Sequence, residues 1–349
     1  VAGNRPELRN RRGRLHGPGR DETEGVSKMD EGRGLSRRGF VGLAAGSVAA
    51  TTLGPLAPVA TGRPSGGRGR LLPRDRIGIQ LFTVRDQVAN LGFDAVFARL
   101  SQIGYREVEF AGYNAQGRRW ANDELRTLLR RYRLNGIGSH VNYFSANPAD
   151  YSFATQLEQV LDDAEEIGLP YIGTASSPGQ RFGETVDGYR RAAEDFNRFG
   201  AAARARGLRF YQHNHSGEFA IENGTRLYDV LLEETDPRLV FLELDIFWAY
   251  VGQSRFPGFK PHEYPWNLPR RFPLFHVKDG IRDGGPSFGW TMTDVGDGDI
   301  AFEPFFCGLD VHDHHFLVER DTAPDNPAGS FSTAERSYEY LAGLRERSS

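Results

Sequence analysis

Six of the eight short apolar runs in this sequence end in an ionisable side chain. One buried charge costs free energy, and several at matching positions are stable only where they pair with one another or bind a cation. A mixture of carboxylates and imidazoles is a ligand set that suits Mn²⁺, Mg²⁺, Co²⁺ or Zn²⁺. The residues concerned are Glu109, His140, His213, Asp245, His276 and Glu319.

One bound divalent metal ion is therefore the cofactor that these residues predict. Asp245, His276 and Glu319 form the core of the predicted ligand set, and His213 is the candidate for a fourth ligand. Each residue alone has an ordinary explanation, because His213 could be a hydrogen-bonded core histidine and Asp245 could cap a helix. The metal site is favoured if the fold brings the ends of the runs to one place.

Lys278 is distinctive because the chain contains three lysines, Lys28, Lys260 and Lys278, while its other basic residues are arginines. A lysine two residues after His276 suggests a point charge on a substrate oxygen, a role that a bulky guanidinium fills less well. An ordinary surface lysine at the end of a strand is the alternative interpretation.

The apolar runs alternate with longer amphipathic stretches, which is typical of repeated β–α units with a parallel sheet. Eight such units in about 270 residues predict a closed (β/α)8 TIM barrel, a single domain whose functional groups lie at the carboxyl ends of the strands. An open doubly wound sheet is the alternative, but such a sheet usually has a glycine-rich turn after its first strand, and residues 80–86 contain no glycine. The predicted strands are residues 77–82, 107–110, 136–141, 171–175, 208–213, 240–245, 274–277 and 316–319.

Charge is unevenly distributed along the chain. The 349 residues carry a net charge of −3, but residues 1–60 hold 10 basic and 6 acidic side chains, which leaves the remainder at −7. An acidic body argues against nucleic acid as a partner. The single cysteine, Cys307, excludes an internal disulfide and a cysteine-based metal site. No apolar run after the N-terminal region is long enough for stable insertion into a membrane.

The N-terminal segment has the layout of an export signal. Arg37 and Arg38 precede Phe40 and a short, weakly apolar stretch rich in glycine and alanine, which resembles a twin-arginine signal peptide. We therefore expect the twin-arginine translocase as a transient partner and a periplasmic or extracellular location. A chance arginine pair is the alternative, and Met29 is a candidate for the true start. The predicted regions are an N-terminal extension with the signal peptide over 1–60, a flexible linker over 61–75 and the barrel over 76–349.

Short motifs occur in a recognisable order over roughly residues 76–345. They are Gln80-Leu81 with Arg85, Glu107–Phe110, His213-Asn214-His215 with Glu218-Phe219, Glu243-Leu244-Asp245 with Trp248, His276-Val277-Lys278-Asp279, Gly296-Asp297-Gly298 and Val318-Glu319-Arg320-Asp321. Together they resemble the xylose isomerase-like sugar phosphate isomerase/epimerase family. The resemblance implies a TIM barrel that holds a divalent metal at the ends of strands five to eight, here by His213, Asp245, His276 and Glu319.

The resemblance also implies roles for individual residues and a small-molecule carbohydrate as the substrate. The metal would acidify a C–H bond beside a substrate carbonyl, with Glu319 as the general base and with His213 and Lys278 as further catalytic groups. One residue departs from the pattern, since epimerases of this family typically present a glutamate from strand five as a second acid–base and this chain has His213 there. The residues implied to bind substrate are Glu109, His140, His215, Glu218 and Trp248.

Isomerisation or epimerisation of a sugar is the predicted reaction. The departure on strand five leaves open elimination from a keto-sugar, keto-glycoside or inosose, with the same metal site. A DNA-repair nuclease like endonuclease IV would share the barrel, but it needs more metals, more histidine ligands and a basic rim. A non-catalytic exported sugar-binding protein is a further alternative. The oligomeric state is open, and a homo-oligomer is one candidate assembly.

Overall fold

The computed structural model describes residues 69–346. The predicted export signal and the first part of the predicted linker lie outside the described residues, so both stay predictions. The packed chain begins before residue 76, because Leu71 and Leu72 are buried and Leu71 N donates to Leu344 O at 3.1 Å. None of the helices in this described part combines the length and apolar character that a membrane crossing requires.

Eight strands form the centre of the fold at the eight predicted positions, with ends that shift by one or two residues at most. Short apolar runs form strands here because they are buried on both faces. The strands are β1 (Ile77–Gln80), β2 (Glu107–Phe110), β3 (Asn135–Ser139), β4 (Tyr171–Thr174), β5 (Arg209–His213), β6 (Val240–Asp245), β7 (Leu274–Val277) and β8 (His315–Val318).

The strands pair in the order β3-β2-β1-β8-β7-β6-β5-β4, and each pairing is parallel. The two end strands meet where His140 and Gly173 form an isolated parallel bridge and Val141 N donates to Gly173 O at 2.8 Å. The sheet is therefore a nearly closed barrel in which consecutive strands are neighbours. This confirms the predicted (β/α)8 TIM barrel, and the doubly wound alternative is wrong.

Helices connect the strands and cover the barrel. Glycines follow the helices before β2, β4 and β5, and Gly104, Gly168 and Gly207 have φ values of 127°, 90° and 76°. The helices are α1 (Arg85–Ile103), α2 (Asn122–Tyr132), α3 (Leu157–Ile167), α4 (Gly179–Phe182), α5 (Val186–Ala205), α6 (Leu227–Glu234), α7 (Ile246–Arg255), α8 (Glu263–Asn267), α9 (Phe302–Phe306) and α10 (Ser330–Gly343). Short antiparallel ribbons pair Asn114–Ala115 with Arg118–Arg119, Ile221–Glu222 with Thr225–Arg226, and Asp279–Gly285 with Gly289–Thr293.

The barrel interior is filled by its own small cluster of side chains, separate from the larger core between barrel and helices. Ile137, Tyr171, Tyr211 and Leu274 form this inner cluster. Room for the Tyr211 ring exists because the neighbouring strand has Gly173, where a Cβ atom would lie 2.5 Å from that ring. The interior is thus a packed floor beneath the carboxyl ends of the strands.

A buried ion pair closes the amino-terminal end of the barrel. Both oxygens of Glu107 lie 2.9 Å from His315 Nδ1, and Arg76 NH1 lies 3.9 Å from the same carboxylate. Because chemistry in TIM barrels takes place at the opposite end, we interpret this pair as stabilising.

Replacing Gly173 with alanine is expected to destabilise the fold, because the new methyl group would overlap the Tyr211 ring. Overpacking of this kind typically costs about 1–3 kcal/mol in the free energy of unfolding. Denaturant unfolding followed by circular dichroism measures the change. Gly343→Ala in α10 is the matched control, since a Cβ atom there meets nothing within 4 Å. Equal unfolding free energies for the two variants would contradict the packing argument.

Candidate active site and metal centre

Four side chains from four neighbouring strands meet at the carboxyl end of the barrel. His213 ends β5, Asp245 ends β6, His276 lies in β7 and Glu319 directly follows β8. One donor atom of each lies within 4.8 Å of the donor atoms of the others, and all four residues are buried. These are the four predicted metal ligands, and the structure brings them together.

Asp245 uses its two oxygens differently. Oδ1 accepts a hydrogen bond from Trp248 N at 2.8 Å and so caps α7. Oδ2 is buried and accepts no hydrogen bond of good geometry, although Lys278 Nζ lies 3.0 Å away and His213 Nε2 lies 3.9 Å away. The helix cap and the metal ligand are therefore compatible roles for this carboxylate.

Glu243 lies deeper in the barrel and holds three imidazole rings through one oxygen. Its Oε2 lies 2.8 Å from His140 Nε2, 3.1 Å from His213 Nδ1 and 3.2 Å from His276 Nε2. These four residues also have the spacing of a cation site. Because Oε2 is already shared by three rings, we interpret Glu243 as the carboxylate that orients histidine ligands, as is usual behind bound metals.

Glu109 is fully buried behind the same histidines. Its Oε2 lies 2.7 Å from His276 Nε2 and accepts a hydrogen bond from Gln80 Nε2 at 2.7 Å, while Oε1 accepts one from the Tyr211 hydroxyl. Burial and the neighbouring Glu243 raise the pKa of this carboxyl. The structure places Glu109 beneath the site and not on its cavity wall, so its predicted contact with substrate stays a prediction.

Lys278 is fully buried, so the surface-lysine interpretation is wrong. Its Nζ lies 3.0 Å from Asp245 Oδ2, 3.0 Å from Glu319 Oε2 and 2.8 Å from Asp321 Oδ1. Burial lowers the pKa of Lys278, but the three carboxylates outweigh burial and hold that pKa well above its usual range. The three carboxylates thus favour the charged form of Lys278 inside the site.

The pKa values of the carboxylates in the ligand set depend on such positive neighbours. Burial raises the pKa of Asp245 to about 6 in spite of Lys278. For Glu319, burial is outweighed by Lys278 and His276, which hold its pKa well below the usual range. The same contacts act in reverse on His276, whose pKa is raised by Glu243, Glu319 and Glu109 against the effect of burial.

A cavity of about 580 Å³ adjoins the ligand set. This volume lies within the range of small-molecule binding sites. His213 and Glu319 line the cavity, as do three of the predicted substrate-binding residues, His140, His215 and Trp248. Burial and the charge of Lys278 lower the pKa of His215 to about 4, so its imidazole is neutral near pH 7 and can hydrogen-bond a hydroxyl group.

Glu218 lies behind His215 and is not among the residues that line this cavity. Its Oε2 accepts a hydrogen bond from His215 N at 2.9 Å, and burial raises the pKa of Glu218 to about 7. The structure therefore gives Glu218 a positioning role for the loop after β5, and its predicted contact with substrate stays a prediction.

Asp279 ties the predicted Gly296-Asp297-Gly298 loop to the site. Glycine is required in that loop because a Cβ atom on Gly298 would lie 2.1 Å from Asp279 Oδ1. The buried carboxylate next to Lys278 thus fixes the chain that follows β7. Its backbone donors are Gly280 N at 2.8 Å, Gly296 N at 2.9 Å, Gly298 N at 3.1 Å and Ile300 N at 3.3 Å.

Sequence reasoning did not select Glu243, Tyr211 or Asp321 as site residues. Glu243 lies two positions before Asp245, and Tyr211 lies two positions before His213. Because alternate residues of a strand face the same side, the spacing could have identified both. The contact between Asp321 and Lys278 joins two separate strand ends, and no local pattern in the sequence indicates it.

The chain belongs to the xylose isomerase-like TIM barrel family, whose model matches residues 86–337. It is also similar to an inosose dehydratase from Clostridium perfringens, with 29% identity over 157 residues that represent 39% of this chain and 48% of the relative. The chain thus spans about half the length of the curated relatives it matches.

Solved structures share the fold. A sugar phosphate isomerase/epimerase from Parabacteroides distasonis has a TM-score of 0.61 and 23% identity, over 82% of this chain and 99% of that one. The IOLI protein, whose structure contains a bound zinc atom, has a TM-score of 0.59 and 12% identity, over 76% of this chain and 98% of that one. At these identities the similarity establishes the fold alone.

The Asp279→Ala variant is expected to lose at least about 3 kcal/mol of unfolding free energy, since it leaves several buried N–H groups without an acceptor. Thermal and urea unfolding measure this loss. Asp283→Ala, in the same hairpin but exposed, is the control and should change stability by about 1 kcal/mol or less. Equal losses in both variants would mean that Asp279 does not hold the loop.

Proposed function

We propose that this protein is a metal-dependent enzyme that transfers protons beside the carbonyl group of a sugar or related polyhydroxylated molecule, as an isomerase or epimerase. The observation that carries the proposal is the convergence of His213, Asp245, His276 and Glu319 beside a cavity. Membership of the xylose isomerase-like barrel family and the similarity to a sugar phosphate isomerase/epimerase structure support it.

The residues present fit a divalent cation. Two imidazole nitrogens and two carboxylate oxygens form a donor set that suits Zn²⁺, Mn²⁺ or Co²⁺, and Glu243 orients the two imidazoles from behind. The buried Asp245 Oδ2 has no hydrogen-bond donor of good geometry, and such an acceptor requires an explanation, which a cation would supply. The zinc atom in the IOLI structure shows that this fold can hold a metal, which supports the same cofactor here.

A bound divalent cation would polarise a substrate carbonyl and make the adjacent C–H bond more acidic. Glu319 belongs to the ligand set and also lines the cavity. We therefore assign Glu319 the role of the base that removes the proton from that carbon. Lys278 Nζ at 3.0 Å and His276 Nδ1 at 2.7 Å keep Glu319 in its carboxylate form, which is the form that accepts a proton. His140 and His215 offer ring nitrogens to substrate hydroxyls, and Trp248 offers an aromatic face.

Elimination is a second candidate reaction, and the residue at the end of β5 favours it. His213 stands where the resemblance expects the second carboxylate of an epimerase. Within the described part of the chain, the carboxylates that line the cavity are Glu319 and Asp321, and both follow β8. One base on one side of the substrate can take the proton from carbon and return it to the departing oxygen as the C–O bond breaks, so that water or an alcohol leaves. The curated relative is named as a dehydratase, which supports this candidate.

Metal content tests the site. Purified wild-type protein is expected to contain about one equivalent of a divalent metal by mass spectrometry, directly or after reconstitution. Asp245→Asn should lower metal affinity at least about 100-fold, because it removes a ligand charge while asparagine still caps α7. Asp187→Asn, an exposed aspartate of α5, is the matched control and should bind metal normally. Wild-type protein that binds no metal after reconstitution would refute the proposal.

Deuterium exchange tests the reaction. Incubation of metal-loaded protein in D₂O with a panel of ketoses and inososes should introduce deuterium beside the carbonyl of the accepted compound, as measured by NMR. Retention of the molecular formula would assign isomerisation or epimerisation, and loss of water would assign elimination. Glu319→Gln should abolish exchange. If that variant exchanged deuterium as fast as the wild type does, Glu319 would not be the base.

A further inference from the structure

A second cavity of about 490 Å³ adjoins the active-site cavity. The two cavities share four lining residues, Ala111, His140, Val141 and Asn142, so they lie side by side. Each volume alone lies within the range that accommodates a whole small molecule. Taken together, the two cavities offer more space than one reacting sugar ring requires.

The walls of the second cavity are aromatic and polar, and their one arginine is paired with an aspartate. Tyr113 and Tyr151 contribute rings, and the Arg119 guanidinium lies 4.9 Å and 5.4 Å from the centres of those rings. Arg119 NH2 also donates to Asp163 Oδ2 at 2.6 Å, so its charge is paired. Asp163 in turn accepts hydrogen bonds from Tyr151 and Gln159. Such a surface of rings, amides and a compensated ion pair suits an uncharged, hydroxylated or aromatic group.

The described residues that line the two cavities include no unpaired lysine or arginine for a phosphate group. Among the described residues 69–346 that line the two cavities, Arg119 is the one lysine or arginine, and it is paired with Asp163. Lys278, nearby, already contacts three carboxylates. The charged groups that line the active-site cavity, Glu319 and Asp321, are carboxylates already paired with Lys278, so they offer a phosphate group no attraction. Phosphate binding in proteins normally uses arginine, lysine or a helix N-terminus aimed at the ligand.

We propose that the substrate is an uncharged saccharide of at least two units, a disaccharide or a glycoside, and not a sugar phosphate. The reacting unit lies beside Glu319, and the second unit lies between Tyr113, Tyr151 and the amide side chains of the second cavity. The placement of the reacting unit rests on the function proposed above, whereas occupation of the second cavity is a separate claim about binding.

Calorimetric titration of the metal-loaded protein tests this claim without measuring turnover. The probes are glucose, glucose 6-phosphate, and the disaccharides cellobiose, maltose and sucrose. We expect at least one disaccharide to bind about 10-fold or more tightly than glucose, and glucose 6-phosphate to bind more weakly than glucose. Asn114 lines only the second of the two cavities, so Asn114→Trp should remove the advantage of the disaccharide and leave glucose binding unchanged.

Gln102→Trp, an exposed change on α1 at a residue that lines neither cavity, is the matched control and should bind every probe as wild type does. The proposal is overturned if no disaccharide binds more tightly than glucose, if glucose 6-phosphate binds more tightly, or if Asn114→Trp keeps the disaccharide advantage. Metal content and deuterium exchange report separately on the proposed function. A protein that exchanges deuterium but shows no disaccharide preference would retain that function and refute this inference alone.

Discussion

Negative charge buried at the carboxyl end of the barrel is the constraint on which the rest of the structure depends. Glu109, Glu243 and Asp245 are completely buried, and Glu319 is 6% exposed. An isolated carboxylate at such depth would be strongly destabilising or would take up a proton. These four are stable together because Lys278 and three imidazoles approach them from adjacent strands. A divalent cation would add to that compensation, which explains why a metal site and a buried acidic cluster occur at the same place.

Parallel pairing of the strands provides these contacts directly. In the register of the barrel, Glu243 is the partner of His213, and Asp245 is the partner of His276. Each imidazole therefore stands beside a carboxylate on the next strand. A slip of one residue would turn these side chains to the outer face of the barrel, so the register has to be fixed elsewhere. The register is fixed by the packing of the inner cluster around Tyr211 against the glycine opposite it.

The sequence predicted the strands and the four candidate ligands for one physical reason, because a closed barrel brings all of its strand ends to one place. It could not predict contacts that join distant segments, such as those of Lys278 with Asp321. The sequence also could not predict that side chains of neighbouring residues point in different directions. Arg320 lies between Glu319 and Asp321, yet its guanidinium turns away and donates to Asp294 at 2.6 Å. The hairpin from Asp279 to Thr293 was not predicted. It is held by the Asp279 carboxylate, which accepts a hydrogen bond from Gly296 N in the loop that follows the hairpin.

The distribution of charge around the cleft bears on the choice between the two candidate reactions. Glu319 and Asp321 both follow β8, while His140 and His213 come from β3 and β5, which flank the strand opposite β8 in the barrel order. A symmetric epimerisation needs proton-transfer groups of similar basicity on both faces of the substrate carbon. Here the two sides differ in kind, with carboxylates facing imidazoles. The asymmetry therefore argues against a symmetric epimerisation, whereas isomerisation and elimination, each of which can proceed with one base, both fit it.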